Sequence, residues 1–205
     1  MPASPSVFVV DDDISMRESL ESMIRFAGWH THAFASAEEF LAHPRDESPS
    51  CLVLDYRLPH LDGLGLQQHL AASEAHMPVI FITYYGHPAM AVKAMKGGAL
   101  EVLSKPFRDE ELLGAIRQGI AHSETALRHE GELRWLQRCY DTLSRRECEI
   151  MALVVAGRLN KQIASELGIS EITVKSHRGR VMEKMQAKSL AALVNMAIRL
   201  RRTTF

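Results

Sequence analysis

The sequence predicts a chain in two parts. The front half is a doubly wound, five-stranded parallel α/β sheet, and a helical linker joins it to an all-α unit built on a helix-turn-helix. Three observations carry this. Short apolar runs alternate with helical periods through the first 120 residues, as in a parallel sheet covered on both faces. Four of those runs end in polar residues, namely Asp11 with Asp12, Asp55, Thr83 and Lys105. The net charge of −1 also hides an asymmetry: residues 140–205 hold 12 Lys and Arg against 6 Asp and Glu, while residues 1–139 hold 12 against 19. An acidic front and a basic back suggest different partners, and the basic part is a candidate for nucleic acid.

Taken in order, the strands are expected near 6–10, 30–34, 50–54, 78–82 and 99–103, and the helices near 14–27, 36–43, 63–72, 88–97 and 108–121. Met16, Leu20, Met23, Ile24 and Ala27 recur at three- and four-residue spacing, the buried stripe of a first helix. Ser36 stands three residues before Glu39, a capping box for the second. Asp62-Gly63 and Leu58-Pro59 read as loop punctuation, and Gly97-Gly98 ends the fourth helix. Residues 121–141 continue the fifth helix in mostly polar composition. Ile120, Leu127, Leu133 and Leu136 are too few for a self-sufficient coiled coil, so either a solvated spacer or a dimerising helix fits. Gly119 and Gly131 are its expected weak points.

In the back half Ser144 and Glu147 form a capping box, followed by a stripe of Ile150, Leu153 and Val154 that Gly157 stops. Asn160 is expected to cap a helix holding Ile163, Ala164 and Leu167. Gly168 then turns the chain, and Ser170 caps a third helix with Val174, Val181 and Met185 on one face. Two short helices about a glycine turn are a helix-turn-helix, whose second helix enters the major groove. At about 100° per residue, Ser176, Gly179, Arg180 and Glu183 fall opposite the apolar face, with Lys175 at the flank. Lys175, Ser176 and Gly179 are therefore expected to face bases, with Gly179 allowing close approach, and Lys161, Arg178 and Arg180 to bind phosphate.

The strand-end residues describe a site for a divalent cation and a phosphoryl group. Crowded carboxylates repel one another unless a hard cation such as Mg²⁺ takes them as ligands. Held by Asp12 directly and Asp11 directly or through water, the metal would polarise a phosphoryl donor for attack by Asp55. Lys105 would supply a point charge and Thr83 a hydrogen bond to phosphoryl oxygens. A hydrolase with a strand-end Asp nucleophile wants a second Asp two residues on. Position 57 is Arg, so that phosphatase reading fails on its own motif, and the chain is not expected to be an enzyme.

Val9-Val10-Asp11-Asp12-Asp13, Leu54-Asp55-Tyr56-Arg57-Leu58-Pro59, Asp62-Gly63, Ile82-Thr83 and Lys105-Pro106-Phe107 together resemble the receiver domain of bacterial two-component response regulators. The resemblance implies a flavodoxin-like fold of strand order 2-1-3-4-5 and a cis Lys105-Pro106 bond. It also implies Asp55 as phosphoacceptor, Mg²⁺ on Asp11, Asp12, Asp55 and the backbone carbonyl of Arg57, and Thr83 with Lys105 as the switch pair.

Leu143-Ser144-Arg145-Arg146-Glu147, Gly157, Asn160-Lys161-Gln162-Ile163-Ala164, Leu167-Gly168-Ile169-Ser170, Thr173-Val174-Lys175-Ser176-His177, Lys184-Met185 and Lys188-Ser189-Leu190 resemble the LuxR-type four-helix DNA-binding domain. The layout is that of the NarL/FixJ response regulators. Lys93-Ala94-Met95-Lys96-Gly97-Gly98-Ala99 brings it nearest the FixJ branch. The expected extents are 1–120 for the receiver, 121–141 for the linker and 142–205 for the DNA-binding domain. In that family the last helix supports dimerisation, which would give Leu190, Leu193 and Ile198 a partner or a core role.

Composition bounds the rest. Three cysteines, Cys51, Cys139 and Cys148, show neither a disulfide framework nor zinc spacing, and a reducing cytoplasm fits. No signal peptide or membrane-spanning run is seen. His60, His69 and His76 are read as exposed polar positions, not metal ligands.

The expected function is phosphorylation-dependent control of transcription. A cognate histidine kinase, promoter DNA and a second copy of the phosphorylated chain are the expected partners, with RNA polymerase as a further candidate and no membrane. The alternative is a DNA-binding regulator whose receiver is a partner-interaction platform without phosphorylation. Two departures from the receiver pattern stand out: Tyr84 where a small residue usually follows the switch threonine, and Val102 where an aromatic usually precedes the lysine by three. Tyr84 is expected either to substitute in the switch and slow phosphate loss, or merely to be exposed.

Overall fold

The computed structural model describes residues 4–73, 77–84 and 88–203, so His76 lies outside the described residues. Five strands, β1 (Ser6–Val10), β2 (His30–Phe34), β3 (Ser50–Asp55), β4 (Val79–Thr83) and β5 (Glu101–Ser104), alternate with α1 (Ile14–Phe26), α2 (Ala37–Ala42), α3 (Gly63–Ala72) and α4 (Pro88–Lys96). The sheet is parallel throughout, in the order β2-β1-β3-β4-β5. Strand order reverses at β1, which opens a crevice at the carboxyl ends of β1 and β3.

The two-residue period of a strand sorts its side chains between two apolar layers. Val7, Val9, Cys51, Val53, Ile80 and Ile82 pack with Leu20 and Ile24 of α1 and with Leu112 and Ile116. Phe8, Val10, Leu52, Leu54 and Phe81 pack with Phe40, Leu66, Leu70 and Ala94 from α2, α3 and α4. Of the expected α1 stripe Leu20 and Ile24 are buried, while Ala27 is exposed and ends the helix.

Helix α5 (Asp109–Asp141) follows β5 and carries the chain across the division between two compact units at Arg128 and His129. It runs unbroken through both Gly119 and Gly131. Gly119 is a close-approach position and not a weak point, since a Cβ there would stand 2.9 Å from Cys51 Cβ on β3. At its carboxyl end Leu136 and Cys139 are buried in the core of the second unit, so this part of the expected linker is neither bare nor fully solvated.

That unit adds α6 (Arg145–Val155), α7 (Asn160–Leu167), α8 (Glu171–Lys184) and α9 (Leu190–Thr203). Ile150, Val154, Ile163, Val174, Val181, Met185 and Leu193 form its core, whereas Leu190 and Ile198 are exposed. The Ser144–Glu147 capping box is complete, and buried Glu147 also accepts from Lys184 Nζ at 2.6 Å. That hydrogen bond, with one from the Ser144 N–H, holds the Glu147 carboxyl down to about 2. Gly168 takes the left-handed φ of 65° between α7 and α8.

Three local expectations are corrected. Asn160 is the first residue of α7 and not its cap; the cap position is Leu159, whose N–H donates to Gln162 Oε1. The Asn160 side chain is taken instead by Arg178, at 2.6 Å. Glu39 returns its carboxylate to the N–H of Ala35 and not to Ser36, so only half of the expected capping box forms. Gly63 is more than loop punctuation. It opens α3, capped by Asp62, where a Cβ would stand 2.7 Å from the Asp55 carbonyl oxygen.

Candidate functional site

Two of the three expected carboxylates meet at the crevice, on one lysine. Asp11 follows β1, Asp55 ends β3, and Lys105 lies just beyond β5. Lys105 Nζ donates to Asp11 Oδ2 and to Asp55 Oδ1, both at 2.7 Å. Each acid's other oxygen is held by a backbone N–H, Asp11 Oδ1 by Asp13 at 2.9 Å and Asp55 Oδ2 by Arg57 at 2.6 Å. All three side chains are buried. The β3–β4 and β4–β5 registers bring Asp55 beside Ile82 and Thr83 beside Ser104, so buried Thr83 stands at the end of the next strand. The Lys105-Pro106 bond is cis.

The electrostatics follow from burial set against partners. Burial raises the Asp55 pKa above the usual carboxylate range, and the hydrogen bond and charge of Lys105 only partly offset it. Burial also opposes the charge on Lys105, but its hydrogen bonds to Asp11 and Asp55 outweigh this and raise its pKa. Lys105 thus offsets part of the cost of carrying charge on Asp55 in a desolvated crevice.

Asp12 is exposed at the rim. Among the described residues no three His, Cys, Asp or Glu side chains are drawn together into a metal-holding group. The donor set nevertheless fits a hard cation: two oxygens from different strand ends already converge on one positive charge, and Asp12 adjoins them. The expected picture therefore changes in one respect. Lys105 itself supplies positive charge between the two carboxylates, in addition to the role expected of it toward a phosphoryl oxygen.

In the second unit Lys161, Lys175, Ser176, Gly179 and Arg180 are all exposed. Ser170 caps α8 by accepting from the Thr173 N–H, which fixes the amino end that carries Lys175 and Ser176. Arg178 differs, being partly buried and tied to Asn160 Oδ1. A Cβ on Gly179 would meet nothing within 4 Å, so no packing within the protein demands glycine there.

Comparison with known proteins agrees with both halves. Residues 7–117 match the response regulator receiver domain, and residues 141–197 match the bacterial regulatory proteins of the luxR family. The chain belongs to the NarL/FixJ family of response regulators. This response regulator is 50% identical over 191 residues to Nodulation protein W of Bradyrhizobium diazoefficiens, covering 93% of this chain and 84% of that protein. It is 38% identical over 199 residues to the transcriptional regulatory protein FixJ of the same organism, covering 97% of each. The solved structure of the response regulator StyR superposes with a TM-score of 0.88 at 44% identity, covering 96% of this chain and all of that one. Among the described residues of the regulator, no helix is long and apolar enough to cross a membrane.

Sequence reasoning missed two parts of the site. Asp13, within the acidic motif, is the α1 cap, accepting from the N–H groups of Ser15 and Met16 at 2.8 and 3.2 Å. An Asp directly before a helical stripe is the signal that could have found it. Arg17 also donates to the Asp11 carbonyl at 2.7 Å, pinning the loop that presents the acid.

Proposed function

We propose that the protein is a phosphorylation-dependent transcriptional regulator, taking a phosphoryl group from a cognate histidine kinase onto Asp55 and binding promoter DNA as a dimer. The observation that carries this is the Lys105 bridge between Asp11 and Asp55, two acids from separate strand ends drawn onto one ammonium at the switch point. In the reaction an Asp55 carboxylate oxygen forms a bond to phosphorus while the bond from phosphorus to the kinase histidine nitrogen breaks. The electron pair leaves with the ring, and an acyl phosphate results.

Asp11, Asp12, Asp55 and the Arg57 carbonyl are the proposed Mg²⁺ ligands; the ion, when bound, supplies positive charge to the transferring phosphoryl oxygens. Lys105 then exchanges a carboxylate oxygen for a phosphoryl oxygen, and the Thr83 hydroxyl donates to another. The added charge of about −1.5 to −2 biases a two-state equilibrium of α4 and α5 toward a dimer face. We place the receiver at 1–120, the linker at 121–141 and the DNA-binding domain at 142–205, in a cytoplasmic protein with RNA polymerase as a further candidate partner. Lys175, Ser176 and Gly179 read bases, and Lys161, Arg178 and Arg180 hold phosphates.

The test is incubation with acetyl phosphate and Mg²⁺, read by intact mass with Asp55→Ala as control. One added phosphoryl group in the parent and none in the variant is the expected result. An unlabelled parent that still binds DNA would favour a receiver acting only through protein contacts.

A further inference from the structure

Lys105 Nζ faces a third group besides the two acids. It lies 5.0 Å from the centroid of the Tyr84 ring. Tyr84 is 63% exposed while Lys105 is 8% exposed, so the ring sits on the solvent side of a buried ammonium. The two residues are also joined through the backbone, since the Lys105 N–H donates to the carbonyl of Thr83 at 2.7 Å and Tyr84 follows Thr83 directly. Strand β5 offers no ring of its own, being Glu-Val-Leu-Ser, and Val102 packs into the apolar layer under α3 and α4.

We propose that Tyr84 is a positioning residue for Lys105. Its ring face holds the ammonium in the bridge between Asp11 and Asp55, and so sets how readily a divalent cation enters the crevice. An ammonium has three donors, and two are spent on the acids. The electron-rich ring presents a further negative surface to the same charge. An incoming cation must take over the oxygens that Lys105 now occupies, so whatever stabilises the bridge weakens apparent metal affinity. Because Tyr84 is chained to Thr83, inward movement of Thr83 would also draw the ring off Lys105. The ring therefore stands just beyond the end of β4.

The inference rests on the cleft reading above, and the experiment separates the two. Full-length Tyr84→Phe, Tyr84→Leu and Tyr84→Ala proteins are compared with the parent by three measurements. In metal-free protein, NMR should show the Lys105 ε-methylene protons shifted upfield by the ring in the parent and Tyr84→Phe, and not in the other two. Mg²⁺ titration should give affinity about two- to fivefold tighter in Tyr84→Leu and Tyr84→Ala, with Tyr84→Phe like the parent. Labelling of Asp55 by acetyl phosphate at limiting Mg²⁺ should rise in the same order. A Tyr84→Leu protein matching the parent in Mg²⁺ affinity overturns the proposal, because bulk without a ring would then suffice. So does an absent ring-current shift, or no Mg²⁺ binding by any of the four. Affinities that follow the ring in a parent that takes no label would sustain the positioning role while removing the phosphoacceptor reading.

Discussion

Lys105 Nζ meets Asp55 Oδ1 at 2.7 Å across 50 residues of sequence. The same nitrogen meets Asp11, so a single ammonium is shared between two buried acids and offsets only one of their two charges. Removing it leaves like charges in a poorly solvated crevice. Lys105→Met is expected to destabilise the first unit by about 3–5 kcal/mol, the cost of breaking a buried pair. Added Mg²⁺ should restore part of that loss. Urea unfolding with and without the metal checks both; an unchanged midpoint would mean that solvent already screens the acids.

Asp55 itself costs stability when ionised, because its pKa is raised by burial. A raised carboxylate pKa means the folded state binds the proton more tightly than the unfolded chain, so the penalty is present above the folded-state pKa and disappears as pH falls through it. Asp55→Asn should therefore raise the melting temperature at neutral pH. The gain should fade in acid, where a protonated Asp55 is as neutral as its replacement. Calorimetry at two pH values decides this.

Glu147 behaves in the opposite sense. Its folded pKa of about 2 lies below the ordinary 4.5, so the Lys184 contact contributes stability above pH 4.5 that is lost as pH falls toward 2. Fluorescence of Trp135, which packs against the second core, should report acid unfolding in a Trp29→Phe background. Glu147→Gln should flatten the dependence in that window, and a parallel curve would assign the acid sensitivity elsewhere.

The two glycines of α5 should respond oppositely to alanine. Gly131 has open space about its Cβ position, so Gly131→Ala should stabilise by about 1 kcal/mol through helix propensity. Gly119→Ala forces a methyl against Cys51 and should destabilise by about 1–3 kcal/mol. Chemical denaturation of both variants is the measurement, and equal signs would contradict the geometry.

On α8, Gly179→Ala should likewise stabilise the free protein by about 1 kcal/mol, since nothing in the protein lies within 4 Å. The same change should weaken specific DNA binding if the helix approaches the groove closely there. Lys161→Ala and Arg180→Ala should each lower the salt slope of binding by about 1. Binding curves at several salt concentrations test all three, and unchanged slopes would remove the phosphate contacts.

Periodicity, together with cap and turn residues such as Ser170 and Gly168, makes the strands, the helix-turn-helix and the order of elements legible in the amino-acid sequence. The apolar run Val7-Phe8-Val9-Val10 and the stripe of Val174, Val181 and Met185 are local patterns that burial must honour, and those side chains do lie inside. The strand-end residues are legible for the same reason, since a carboxyl end is a position along the chain. What only tertiary structure decides is whom each polar group meets. Lys105 bridging two acids, Tyr84 over its ammonium, Arg178 taking Asn160 from a capping role and Gly119 against Cys51 are contacts between distant segments. Sequence periodicity specifies the face a side chain occupies. The partner it finds there depends on strand order and helix docking, which bring separate stretches within hydrogen-bond range only once the sheet has assembled.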